Sequence, residues 1–231
     1  MANQNQAKSS KIIHDKDFYL QIAVFLVEDT LFKLPILDFT EESEVFKTMF
    51  QLPQNPHVEV EGMTDEKPIV LEGVKKEDFK QLLRIVYSRR HRKEEKLTTK
   101  EWESVLVLSS KWDMDVLRQL AIRKITPDLV TDPHELVLWG QKYNVDSWTL
   151  EGIRALVDQE EPMHEEDVKT LGLSVILKIS AIREWLAWKA FKNAGYSRQV
   201  QHIKATLREE LEGEIATVFG LNLDGETEDN E

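Results

Sequence analysis

One uninterrupted apolar run, Ile22-Ala23-Val24-Phe25-Leu26-Val27, constrains the fold more than any other stretch of this chain. Its length is that of a strand, and its lack of alternation fits a strand covered on both faces. Glu28-Asp29 interrupts it, and Leu31, Phe32 and Leu34 resume the apolar pattern before Pro35, which is expected to end the pairing. The two runs read as a β-hairpin. No glycine fixes the turn, and Asp29 is the residue expected to tolerate left-handed geometry there.

The period then changes to that of a helix. Val45, Phe46, Met49 and Phe50 fall on one face of a short helix that Pro53 stops, and 53–67 reads as loop. Ile69-Val70-Leu71 is a short strand. From Lys75 to Ser88, Phe79, Leu82, Leu83, Val86 and Tyr87 trace one amphipathic stripe, with Phe79 and Leu83 expected to face the core. Arg89-Arg90-His91-Arg92-Lys93 follows, either as a solvated loop between helices or as a docking site for an acidic partner segment. It carries no interleaved aromatic on which a base could stack.

Thr98 and Glu101 have the spacing of a capping box, and Trp102, Val105, Leu106, Ser109 and Trp112 repeat at helical spacing behind them. Asp113-Met114-Asp115 reads as a break and restart. Val116, Leu117, Leu120 and Ala121 form the next stripe, which Thr126-Pro127 is expected to close. After residue 128 no strand-like alternation occurs. Asp132-Pro133-His134-Glu135 supplies an N-cap, a proline at the first helical position and an acid behind it. Leu136, Trp139, Gly140 and Tyr143 continue that helix. Further helices are expected over 150–157, 165–171, 174–190 and about 199–219. In the 174–190 helix, Ile176, Ile179, Ile182, Leu186 and Ala190 share a stripe. Trp185 and Trp188 fall off it, so the helix is either surrounded by others, the preferred reading, or shows one face to a partner.

Chemistry motifs are sparse. The chain has no cysteine, which removes disulfides, thiolate zinc sites and thiol nucleophiles. Its 30 basic against 42 acidic residues give a net charge of −12, so a nucleic-acid backbone would be repelled. The six histidines, at 14, 57, 91, 134, 164 and 202, share no metal-ligand spacing. His134-Glu135 opens like a zinc-protease signature, but Leu138 stands where the second histidine belongs. Glu165 and Glu166 after His164 fit the acidic first turn of a helix better than a ligand set. No Gly-rich phosphate loop and no G-x-S-x-G elbow occurs. The reading is therefore of a non-enzyme with no catalytic residue, no cofactor and no metal. No apolar stretch approaches the roughly 20 residues that span a bilayer, and the first residues lack a signal-peptide core. A soluble protein of the cytoplasm or nucleus, binding neither membrane nor nucleic acid, is expected.

The order of these elements resembles the BTB/POZ domain. The phrases that carry the likeness are Val27-Glu28-Asp29-Thr30-Leu31-Phe32-Lys33, Ser43-Glu44-Val45-Phe46-Lys47-Thr48-Met49-Phe50 and Pro68-Ile69-Val70-Leu71-Glu72-Gly73-Val74. Asp78-Phe79-Lys80-Gln81-Leu82-Leu83 and Tyr87 complete it. The wording, including Leu97-Thr98-Thr99-Lys100-Glu101-Trp102, is similar to BTB proteins of mushroom-forming fungi. The resemblance implies an α+β fold, a small β-sheet flanked by helical hairpins, followed by an all-α C-terminal extension. With the polar start and the acidic end read as disordered from their composition, the chain divides into a disordered N-terminus at 1–17, the BTB/POZ domain at 18–125, the extension at 126–220 and an acidic disordered tail at 221–231.

The resemblance also implies a protein-interaction module whose partners are other proteins, often a second copy of itself. Some relatives serve as scaffolds, as substrate adaptors of cullin-type ubiquitin ligases, or as transcriptional co-regulators acting without direct DNA contact. The family's dimer surface maps here to Phe18, Tyr19, Ile36, Leu37 and Phe39. The chain departs from the common pattern in three places. Ile22 or Ala23 stands where an Asp opens the first strand, Pro35-Ile36 replaces a His-Arg pair, and Ser88-Arg89 replaces a Thr-Gly turn. The usual dimer charge pair is thus missing, and no cullin-contacting phrase is legible.

Overall fold

The computed structural model describes residues 13–15, 19–52, 61–91, 96–194 and 200–222, with backbone alone at 88–91, 193–194 and 200–206. The expected tail at 221–231 beyond its first two residues, Pro53, nearly all of the N-terminal segment, the side chains of 89–91 and all of 92–93 lie outside the described residues. The chain divides into two compact units, Met1–Ala121 and Ile122–Glu231.

In the first unit β1 (Ile22–Val27) is the central strand of a three-stranded sheet ordered β2-β1-β3. It runs antiparallel to β2 (Thr30–Pro35), with Phe25 opposite Phe32, and parallel to β3 (Ile69–Val70). Cover on both faces explains the unbroken apolar run: Ala23, Phe25 and Val27 on one face and Val24 on the other are all buried. Pro35 does not end the pairing ahead of itself but is the last paired residue, opposite Ile22. The left-handed residue of the turn is Glu28 (φ +55°), not Asp29. Both acids of that turn serve the helix that follows β3. Glu28 Oε2 accepts the Lys76 backbone N–H (3.0 Å), and Asp29 Oδ1 accepts Lys76 Nζ (2.9 Å). The Lys76 ammonium, with the Thr30 hydroxyl, holds the Asp29 carboxyl below its ordinary range, and Asp29 in turn raises Lys76.

Helices α1 (Leu37–Glu42), α2 (Glu44–Gln51), α3 (Lys76–His91) and α4 (Thr99–Lys111) surround the sheet's unit, and α5 (Asp115–Leu129) crosses the division between units. The capping box of α4 forms as the spacing predicts: Thr98 Oγ1 accepts the Glu101 N–H, and Glu101 Oε2 accepts the Thr98 N–H (2.8 Å). Asp113 (φ +48°) makes the break before α5. The core is aromatic. Phe25 packs on Phe39 (ring centroids 5.3 Å), Phe39 on Phe46 (5.1 Å), Phe46 on Trp112 (5.2 Å) and Phe32 edge-on to Phe79 (5.0 Å). Phe79 and Leu83 are buried as expected. Val45 and Val116 are exposed, because each stands at the rim of its stripe while Phe46 and Leu117 take the inward position.

The second unit is helical: α6 (Pro133–Tyr143), α7 (Asp146–Asp158), α8 (Glu165–Leu171), α9 (Leu173–Ala194) and α10 (Val200–Phe219). Pro127 does not close α5; the helix runs through it to Leu129. A proline in the last turn removes only one ladder bond, and the Thr126 hydroxyl returns a bond to the Ile122 carbonyl (2.8 Å) while accepting Trp148 Nε1–H (2.8 Å). Asp132 caps α6 through the His134 and Glu135 N–H groups. A Cβ on Gly140 would stand 2.3 Å from Thr149 Oγ1, so α6 and α7 approach at a contact only glycine permits. The core gathers Val137, Ile153, Leu156, Ile179, Ile182 and Ile215 from four helices. His134 Nε2 meets Asp167 Oδ1 (2.8 Å), and Asp167 Oδ2 accepts the His164 N–H (2.6 Å), pinning α8 to the start of α6.

Truncating Phe79 to Ala should cost about 3–5 kcal/mol, because the ring touches a cluster that cannot collapse around the void. Denaturant titration of the full chain measures it, and an unchanged midpoint would contradict this core. The acid limb of stability should depend on Asp167. The His164 N–H, then the His134 ring, hold its folded pKa below the unfolded one. Its contribution is therefore complete above the unfolded value, about 3.9, and fades as pH falls through the folded value. Asp167→Asn should flatten that limb in melting curves taken between neutral pH and pH 3.

Candidate protein-interaction face

The face is built where both ends of the hairpin meet the first two helices. The Ile36 N–H donates to the Gln21 carbonyl (2.9 Å), so the chain leaving β2 lies against the chain entering β1. The Ile36 carbonyl then accepts from Phe39 and Thr40, starting α1 at once. Along α1, Phe39 turns into the aromatic core and is fully buried. Leu37, two residues earlier and about 200° away on the helix, is forced to the outside, where it is 41% exposed.

Ser43 makes the corner between α1 and α2. Its backbone is extended, its Oγ accepts the Phe46 N–H (3.2 Å) as the α2 N-cap, and the same hydroxyl donates to the Trp112 carbonyl (2.5 Å). That corner sets α2 so that Phe46 points inward while Lys47, Phe50 and Gln51 line an open groove of about 470 Å³. Its other walls are Tyr19, Leu20 and Gln21 before β1, and Ile36, Leu37 and Thr40. Tyr19 is 58% exposed and stacks on the His14 ring (3.8 Å). Phe50 stacks on Phe46 and gives the groove an apolar floor.

Among the described residues no acid lines the groove, and the one ion there is Lys47, whose ammonium meets Glu44 Oε1 at 2.6 Å. It brings together no nucleophile with a base, and among the described residues no group of three or more potential ligands could hold a metal ion. No helix of the described residues is long and apolar enough to cross a membrane. An apolar trough with a polar rim of this kind can accept side chains from a protein surface.

Of the residues assigned to this surface by resemblance, Tyr19, Ile36 and Leu37 line the groove, and Phe18 lies outside the described residues. Phe39 has to be corrected. It is a core ring packed against Phe25, Phe46 and Phe79, and it offers nothing to a partner. The sequence reading missed Ser43, Lys47, Phe50 and the buried acid Asp38. Ser43 was detectable as a capping residue ahead of an amphipathic run. Nothing in the pattern marks Asp38, an acid in the first turn of a six-residue helix, as buried.

This architecture, an aromatic-cored hairpin with paired helices and an exposed apolar face, defines a protein-interaction domain. Residues 24–128 match the BTB/POZ domain family, and the chain has the fold of a BTB domain followed by helices. None of the curated proteins matches it.

Replacing Ser43 with Ala removes a cap and strands the buried Trp112 carbonyl. The expected cost is about 1–3 kcal/mol by denaturant titration, with helix content retained.

Proposed function

We propose that the chain is a non-catalytic scaffold or adaptor whose BTB domain uses the Tyr19–Ile36–Leu37 face to hold a second copy of itself. The observation that carries the reading is the outward Leu37 beside an apolar groove that no acid lines. Two chains of net charge −12 repel one another over most of their surface. A groove with no acid among its described walls is where such chains can approach, and this one needs no cross-dimer charge pair to do so. The likeness to BTB proteins of mushroom-forming fungi supports a fungal setting. Service as substrate adaptor of a cullin-type ubiquitin ligase is the specific form of the role to examine first, by co-purification with a cullin scaffold.

Light scattering across a hundredfold range of concentration tests the dimer. The expected mass is twice 26.9 kDa for the native chain, falling toward 26.9 kDa in Leu37→Glu. A native chain at 26.9 kDa throughout, or a dimer indifferent to Leu37→Glu, overturns the assignment of this face.

A further inference from the structure

Helix α9 is apolar on two opposite sides. Its inner stripe, Ile176, Ile179 and Ile182, is buried in the second unit's core. Its outer stripe carries Leu173 (60% exposed), Leu177 (60%), Ala181, Trp188 (57%) and Phe191 (83%), with Glu184 as its one charge. The expectation that neighbouring helices surround this helix therefore fails for Trp188. A helix of such composition normally hides all its faces. The flanking lysines do not make the stripe a seat for an acidic ligand. Lys189 is held by Glu210 and lies over Trp185, Lys178 lies over Phe219, and Lys192 lies over Trp188.

The outer residues are placed symmetrically about a point between Ile182 and Arg183. We propose that this stripe is a second self-association face, on which α9 packs antiparallel against α9 of another copy across a two-fold axis. An isologous contact requires a patch complementary to itself. In that arrangement Leu173 meets Phe191 of the second copy, and Leu177 meets Trp188 of the second copy. Ala181 at the centre is small enough for close approach and leaves Glu184 of the second copy room to reach water. Glu184 and its mate lie as near the axis as Ala181 and its mate, so the one like-charge approach falls at the centre, where both carboxylates turn outward to water. The four large side chains offer roughly 500 Å² per copy, so with its flanks the contact reaches the low end of stable interfaces, about 1,200 Å² in total. The association is accordingly reversible, and it is independent of Leu37.

The test uses the full chain in the Leu37→Glu background, which removes the groove contact, and exploits the absence of native cysteine. In the two-fold arrangement residue 181 and its mate lie about 4 Å apart along the axis, while residue 174 and its mate lie about 25 Å apart. Under mild oxidation Ala181→Cys should give a covalent dimer at least tenfold faster than Ser174→Cys, and adding Phe191→Glu to Ala181→Cys should abolish that advantage. Circular dichroism confirms that each variant is folded. Equal rates at the two positions, or no dimer from either folded variant, would overturn the antiparallel contact. So would a rate advantage indifferent to Phe191→Glu.

Discussion

The burial of Phe39 in the aromatic cluster is the interaction on which the first unit's outward face depends. A ring that touches Phe25, Phe46 and Phe79 together cannot be withdrawn without opening the core. Helix α1 is only six residues long, so fixing one side chain fixes its rotation. Leu37 is then outward by geometry rather than by preference. The Ser43 corner transmits the same constraint to α2, because its hydroxyl bonds both the Phe46 N–H and the Trp112 carbonyl. The helical wall of the groove is thus a by-product of how the core is closed.

The hairpin turn is bound into the same framework. Glu28 and Asp29 both reach Lys76 at the start of α3, so the turn that reverses the chain also caps a helix distant in sequence. This explains why a non-glycine residue accepts a left-handed conformation there. The strain at Glu28 is offset by a hydrogen bond that only this backbone position allows. Asp29, with its side chain turned to the Lys76 ammonium, has no need of it.

Local signals were the legible ones. The hairpin, the Thr98–Glu101 box, the Asp132 cap and the break at Asp113 each follow from residues within a few positions of one another, and all form. What the sequence hid was set by distant neighbours. Val45 lies on the same apolar face as Phe46 but at its edge, and only the position of α2 against the core decides which is buried. Pro127 reads as a stop, yet the Trp148–Thr126 bond and the buried Ile125 and Leu129 hold the last turn of α5 around it. Phe39 illustrates the limit most directly. A residue placed on a contact surface by resemblance can be core, because resemblance identifies a helix and not the rotation of that helix.

Acid placement ties the two candidate faces together. With 42 acids in 231 residues, an apolar surface that carries almost none is not the average outcome of this composition. The groove has no acid among its walls, and the outer stripe of α9 has only Glu184. Elsewhere the acids are in constant local use: Asp29 and Glu28 at the turn, Glu101 and Asp132 at caps, Asp167 between two helix starts. Repulsion between two copies of such a chain is weakest where one acid-poor face meets another. In such a protein charge works against association in general, and the proposed contacts rely on apolar surface rather than on a charge pair across them.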